Sequence, residues 1–483
     1  MFDTGVKLNE PLLDGKLASI EKARQWSPRV VSKMENMIRN ATDEALFRIN
    51  PILFAKEKGI EENESIDFFL HGAVEGLFQM NWHVLCPGCT SVLESFSSLK
   101  ALDSHSHCEV CNVDSEASLD DYIMISFTVS PQVREITCHH PDSLSPLDYL
   151  TLYRFSREGV IRDGRRWIDG AIPFMKFHAY IQNGEEKKIT RELTEGYLVI
   201  SDFLNHTGAG IPVSGQPGGG SGSLGVKLNG SAITLSAGTL SSGETEFDFY
   251  NQSGRKGLIT LLNFPTRYAE DFTISFTPYL SGKRLLTTQS FHDLFHYDVV
   301  KGTEGLGVKD ISIVFTDLKG STSLYDRIGD LNAFSLVRQH FDILGKVVAG
   351  NHGAIVKTIG DAVMGSFMNP VDAMKAALEM REEVAKMNQS GNKTDIILKI
   401  GIHKGASIVV NLNERLDYFG QTVNIASRVQ ELAGGDEVYI TSDVYEYPGV
   451  GALLTAMKVE PGKATIKGLA EEMQVYRISG AGR

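Results

Sequence analysis

The sequence predicts a multidomain protein. Its C-terminal part reads as an α+β domain with a ferredoxin-like layer. Ahead of that come a helical segment, a pair of zinc-ribbon-like cysteine knuckles, and an all-β region of sandwich or barrel type. Three observations carry this expectation. At 483 residues the chain is too long for one ordinary core. Residues 309 to 432 alternate β-branched apolar runs with two long stripes of helical spacing. Residues from about 120 to 285 hold short apolar runs separated by turn signals.

Composition narrows the function classes. The chain is 42% hydrophobic and 22% charged, with a formal net charge of -13 and a pI near 5.5. An acidic chain with no Lys/Arg block is poorly suited to neutralising phosphates, so nucleic-acid binding is not expected. No apolar run reaches the roughly 18 residues of a transmembrane helix, and the first 30 residues carry no secretory pattern. Four of the five cysteines form two Cys-x-x-Cys pairs, which in a reducing compartment points to metal. A cytoplasmic protein is expected.

Residues 1–85 read as helical, with Ile66, Phe69, Leu70, Val74, Leu77 and Phe78 at helical spacing. Residues 86–115 hold Cys86-Pro87-Gly88-Cys89 and Cys108-Glu109-Val110-Cys111. Two tight turns with two thiolates each can complete a closed tetrahedral Zn²⁺ site of structural type. His105 and His107 beside the second pair read as exposed loop residues, and Cys138 as a free thiol. Residues 116–285 read as a β-rich regulatory region, with strands at Ile123–Val129, Tyr197–Ile200, Glu246–Phe249 and Leu258–Leu262. The glycine-rich stretch 208–225 lacks a Gly-Lys-Ser/Thr ending and reads as a flexible loop. Residues 286–308 read as a linker with a short helical piece around Phe291.

The C-terminal region, 309–483, carries the chemistry. Asp310–Phe315 suits a buried strand, with Asp317 where it ends. Gly320, Ser321 and Thr322 then start a helix, whose free N–H groups favour phosphate. Phe334, Val337, Phe341, Leu344 and Val348 form the core stripe of the next helix. A hairpin follows, turning at Gly360-Asp361, and it can bring Asp361 beside Asp317. Two carboxylates held close repel unless cations share them, so the pair makes sense as a two-metal clamp. Asn369-Pro370 caps a second long helix, with Ala373, Ala377, Met380, Val384 and Met387 as its stripe. Asn424 and Arg428, four apart, share one face of a helix that ends at Gly434-Gly435. Gly434-Gly435-Asp436-Glu437 looks like a diguanylate cyclase signature. It falls after that helix rather than in a hairpin, and reads as helix-stop and loop.

Residues 309 to about 479 resemble the catalytic domain of class III adenylyl/guanylyl cyclases. The resemblance rests on Phe315-Thr316-Asp317 through Thr322, on Lys357-Thr358-Ile359-Gly360-Asp361, and on Asp417-Tyr418-Phe419-Gly420 through Arg428. It implies that Asp317, Asp361 and the Leu318 backbone hold two Mg²⁺ or Mn²⁺ ions per site. Lys357 and Asp417 would read the adenine of ATP, and the related guanylate cyclases usually carry Glu- and Cys-like residues there. Asn424 would orient the ribose, Arg428 would stabilise charge on the α-phosphate, and Lys467 would meet the terminal phosphates. The implied assembly is a head-to-tail homodimer with sites at the interface, regulated by the N-terminal region in response to a signal the sequence does not name. A guanylate cyclase and a non-catalytic scaffold keeping the fold are the alternatives. The segment around Arg48-Ile49-Asn50-Pro51, Trp82 and the cysteine pairs is similar to an uncharacterised region found ahead of some bacterial cyclase domains.

Overall fold

A computed structural model describes residues 8–102, 105–116, 118–215, 222–266, 273–295, 305–390, 396–412, 415–466 and 472–480. Contacts divide the chain into two compact units. The first lies within Met1–Ser97, Asp103–Ala117 and Tyr122–Leu280, and the second within Ser98–Leu102, Ser118–Asp121 and Ser281–Arg483.

The first unit opens with helices Glu10–Ala23, Pro28–Asn40, Pro51–Lys58 and Glu62–Val74. Asn50 caps the third, accepting from the amides of Ile52 and Leu53 with Pro51 at the first helical position. The helical reading fails after Val74. Gly76 takes φ 72°, and Phe78–Leu85 is a strand paired with both Val92–Phe96 and Ile123–Val129. Phe78, Met80, Trp82 and Val84 recur with period two, a pattern that overlapped the helical stripe at Leu77 and Phe78. The expected boundary between residues 85 and 86 therefore falls at the end of a strand in a three-stranded sheet.

Further along, a five-stranded sheet includes Met175–Ile181, Gly196–Asp202, Thr207–Ser214 and Gly257–Pro265. A four-stranded sheet includes Glu186–Leu193, Gly222–Leu228 and Gly243–Asn251. Their alternating inward residues, among them Ile181, Leu198, Ile211, Val226, Phe247 and Ile259, share one core. Much of the glycine-rich stretch expected to be a loop is thus strand, at Thr207–Ser214 and Gly222–Leu228, with residues 216–221 outside the described ones.

The second unit is built on an eight-stranded sheet. Its elements are β1 (Leu306–Leu318), α1 (Ser321–Ile328), α2 (Asp330–Gly350), β2 (Gly353–Ile359), β3 (Ala362–Phe367), α3 (Pro370–Ser390), β4 (Leu398–Leu412), β5 (Arg415–Phe419), α4 (Gln421–Glu431), β6 (Glu437–Thr441), β7 (Lys458–Ala464) and β8 (Met473–Ser479). Strand order is β2-β3-β1-β4-β6-β8-β7, with β5 paired to β4. The succession β1-α-β2-β3-α3-β4 is the ferredoxin-like one that the alternation of periods predicts.

Side-chain alternation assigns the two faces of this sheet. Val314, Leu318, Val363, Leu398, Ile400 and Ile402 meet α2 and α3 through Val337, Leu344, Ala373, Ala377 and Met380. On the other face α4 seats Ile425 and Val429. It comes so close to β4 that a Cβ on Gly401 would lie 2.2 Å from the Gln430 nitrogen. Asn369 caps α3, accepting from the Asp372 amide at 3.0 Å, as its sequence predicts. One stripe residue departs from expectation: Phe334 is 63% exposed, because the buried face of α2 runs through Ala333, Val337, His340 and Leu344. The expected linker also departs. Residues Gly282–Leu286 and Gln289–Leu294 are helices packed within the second unit, and residues 296–304 lie outside the described ones.

Candidate functional site

Asp317 stands one residue before the end of β1, on the face opposite Val314 and Leu318. Its register partner on β4 is Lys399, whose Nζ lies 3.9 Å from Asp317 Oδ2. Asp361 sits in the two-residue turn between β2 and β3, which closes on the Ile359–Ala362 pair. Gly360 supplies the first turn position with φ 64°, a left-handed value that hairpin turns of this length demand. Because β3 also pairs with β1 as far as Thr316 and Val363, the turn delivers Asp361 beside Asp317.

The electrostatics of this corner are those of two crowded carboxylates. Burial, and then the Asp361 charge, push the Asp317 carboxyl above its ordinary value, while Lys399 and the Leu318 amide pull it back. Asp361 Oδ2 is buried and has no hydrogen-bond partner among the described residues. Buried carboxylate oxygens without donors are costly, and a cation shared with Asp317 satisfies both. The residues present therefore fit a divalent metal centre.

Two further residues, Lys399 and His340, belong to this neighbourhood although the sequence did not mark them. Lys399 becomes visible only once strand register is known. His340 on α2 is fully buried, with neither ring nitrogen hydrogen-bonded among the described residues. Burial lowers it to about 4 and the Asp361 charge pulls it upward, so it is neutral at ordinary pH.

The helix after β1 begins as its sequence predicts. Gly320 takes φ 71°, and Ser321 opens α1, so first-turn amides of α1 face the end of β1. The side chain of Thr322 lies outside the described residues, as does Lys467.

Lys357 and Asp417 come together from separate strands. Lys357 Nζ donates to Asp417 Oδ2 at 2.5 Å. Asp417 is buried, and its Oδ1 accepts from the Tyr418 amide at 2.8 Å. Each partner thus satisfies the other.

Asn424 and Arg428 share one face of α4, and that face is exposed. Ile425, Ala426 and Val429 turn toward the sheet. Arg428 pairs with Glu431 one turn on, at 2.5 Å. Both side chains therefore project away from the sheet face that carries Asp317 in the same chain.

In the first unit, the Sγ atoms of Cys86, Cys89, Cys108 and Cys111 all lie within 4.8 Å of one another. Cys86–Cys111 and Cys89–Cys108 are 3.8 and 3.5 Å apart, and the amides of Gly88 and Cys111 point at the Cys86 and Cys108 sulfurs. Such amide donors are what a thiolate in a metal knuckle uses. His107 pairs instead with Asp114 at 2.8 Å. It lies with His105 in a strand, His105–Cys108, rather than in a loop. Cys138 is buried apart from the cluster.

Comparisons with known proteins bear on both units. Residues 306–480 match the model of the adenylate and guanylate cyclase catalytic domain, and residues 15–293 match a family of unknown function (DUF5939). Among curated relatives, adenylate cyclase 1 of Rhizobium meliloti is 27% identical over 190 residues, covering 36% of this chain and 28% of that protein. The adenylate cyclase of Anabaena cylindrica is 29% identical over 184 residues, covering 35% of this chain and 36% of that protein. The chain thus spans well under half the length of these curated relatives. Among solved structures, the adenylyl cyclase CyaB from P. aeruginosa is 24% identical, covering 37% of this chain and 98% of that one, with a TM-score of 0.33. No helix among the described residues is long and apolar enough to cross a membrane.

Proposed function

We propose, for a chain that belongs through residues 15–293 to a family of unknown function and through residues 306–480 to the adenylate and guanylate cyclase catalytic domain family, that it converts ATP to 3′,5′-cyclic AMP and pyrophosphate. The observation that carries this reading is the Asp317–Asp361 corner, with its raised carboxyl and its donorless buried oxygen. A cyclase domain implies divalent metal use, and two Mg²⁺ or Mn²⁺ ions held by Asp317, Asp361 and the Leu318 carbonyl would acidify the ribose 3′-hydroxyl and neutralise the leaving pyrophosphate. The chain's own groups do the positioning. First-turn amides of α1 meet phosphate oxygens, Asn424 orients the ribose, and Arg428 faces the charge that builds on the α-phosphate.

The site is completed by a second copy of the chain. Asn424 and Arg428 project away from the sheet face that carries their own Asp317, so one nucleotide reaches both sets only across an interface. Ile408, Leu412 and Phe419 on the β4–β5 arm are 43, 48 and 66% exposed, an apolar edge that suits such a contact.

Base choice rests on Lys357 and Asp417. Asp417 accepts from the exocyclic amine of adenine, and Lys357 donates to a ring nitrogen. Guanine presents a carbonyl where adenine has its amine, which leaves the buried Asp417 oxygen facing an acceptor. Each buried polar group left unpaired costs about 1–3 kcal/mol. The purified full chain is therefore expected to favour ATP over GTP by about tenfold or more in kcat/KM. Quantifying cAMP and cGMP with each nucleotide, under Mg²⁺ and under Mn²⁺, tests the reading. Equal rates for the two would assign the chain to both nucleotides, and no cyclic product from either would leave the fold without the activity.

For the cysteine cluster the reading is structural zinc. Four thiolates close the coordination shell and leave no open position for chemistry. Protein purified without chelator is expected to hold about one zinc per chain. Cys108→Ser should remove it and lower the melting temperature of the first unit, since structural zinc contributes directly to folding. Zinc-free protein with an unchanged melting curve would contradict this role.

A further inference from the structure

We propose that Gln289 is a positioning residue for Lys357, and through it a determinant of nucleotide choice. This rests on the base-reading role given above to Lys357 and Asp417.

The argument starts from a break in the β2–β3 ladder. Ile355 pairs with Gly365, but Lys357 pairs with Met364, so the register shifts by one between them. Residues two apart on a regular strand share a face. Gly365 and Met364 are neighbours and point to opposite faces, so Lys357 is turned to the face opposite Ile355. Ile355 packs against the core under α2 and α3. Without the bulge at Val356, Lys357 would point into that same core. With it, Lys357 reaches Asp417 at 2.5 Å. The bulge therefore aims the base-reading lysine.

β2 is the edge of the sheet, so a neighbouring strand holds the bulge from one side only. What fixes it here comes from outside the strand. The Ile355 amide, at the N-terminal side of the bulge, donates to Gln289 Oε1 at 2.7 Å. The Gln289 carboxamide is itself oriented, because its Nε2 donates to Asp293 Oδ1 at 2.8 Å one helical turn on. Its oxygen is thereby left pointing at the strand. The preceding short helix approaches the other half of the pair, with the Leu286 carbonyl 3.5 Å from the hydroxyl of Tyr418, the residue after Asp417. Gln289, His292, Lys357 and Arg415 also line one cleft of about 240 Å³. The segment ahead of the sheet thus brackets both strands that carry the base-reading residues.

The test uses the full chain. Gln289→Ala is expected to raise the KM for ATP about three- to tenfold, the range that loss of one hydrogen bond supports. The ATP-to-GTP ratio of kcat/KM should fall, while kcat at saturating ATP and the melting temperature stay near wild type. In the pair Gln289→Glu/Asp293→Asn an acceptor for Ile355 is kept and the partner donates to it, so selectivity should return. Two results overturn the inference. One is Gln289→Ala with unchanged KM and ratio. The other is an equal loss of kcat for both nucleotides that the double variant does not repair. A wild-type chain that makes no cyclic nucleotide would instead defeat the functional reading itself.

Discussion

Asp317→Ala is expected to lower cyclic AMP formation about a thousandfold or more while melting no lower than wild type. Charge stabilisation by a bound metal is worth several kcal/mol, and each 1.4 kcal/mol is a factor of ten in rate. The stability half of this prediction follows from the same geometry. Burial and the neighbouring Asp361 hold the Asp317 carboxyl above its ordinary value, so its charge is unfavourable in the folded chain. Removing it relieves that repulsion, which offsets the lost hydrogen bond from the Leu318 amide. The nearest cation, Lys399 Nζ at 3.9 Å, is too distant for a hydrogen bond. Steady-state turnover with ATP and a thermal melt, measured on the same preparation, check both halves. Full activity in Asp317→Ala sinks the metal assignment. A large drop in melting temperature would make Asp317 a structural residue instead. Asp317→Asn keeps the shape of the side chain and should behave alike, since an amide cannot replace the shared carboxylate charge.

Much of this corner was legible before any coordinates, because it depends on local rules. The β-branched run before Asp317, the Gly360-Asp361 turn and the Asn369-Pro370 cap each write their geometry into adjacent residues, and the structure follows them. The cysteine spacing belongs to the same class, since two knuckles state their own pairing. What was not legible depends on register between distant strands. Lys399 lies opposite Asp317 because β1 and β4 align in one of several ways that the sequence permits. The bulge at Val356 follows from how β2 meets β3, and Gln289 reaches Ile355 across 66 residues. Phe78–Leu85 alternates with period two, but Leu77 and Phe78 also continue the helical spacing before them, and its two strand partners decide the matter. Phe334 falls outside the buried face because α2 is rotated so that its neighbour Ala333, a small residue that marks no stripe, meets the core instead.

The claim that one site draws on two chains has the most direct consequence. Asp317 and Asp361 sit together at the end of β1, whereas Asn424 and Arg428 point outward from α4. An Asp317→Ala/Asp361→Ala chain and an Arg428→Ala chain should each be inactive alone, for different reasons. The first lacks the carboxylates, and the second lacks the cation proposed to face the α-phosphate. In a mixed dimer, one interface gathers both lesions and the other keeps every native group. That heterodimer should show about half the activity of a wild-type dimer, and an equal mixture that exchanges freely about a quarter. The decisive measurement is cyclic AMP formation by the two variants mixed, with heterodimer content established by differently tagged chains. Recovery in proportion to heterodimer is the predicted result. Silence from a mixture shown to contain heterodimers would contradict the shared site.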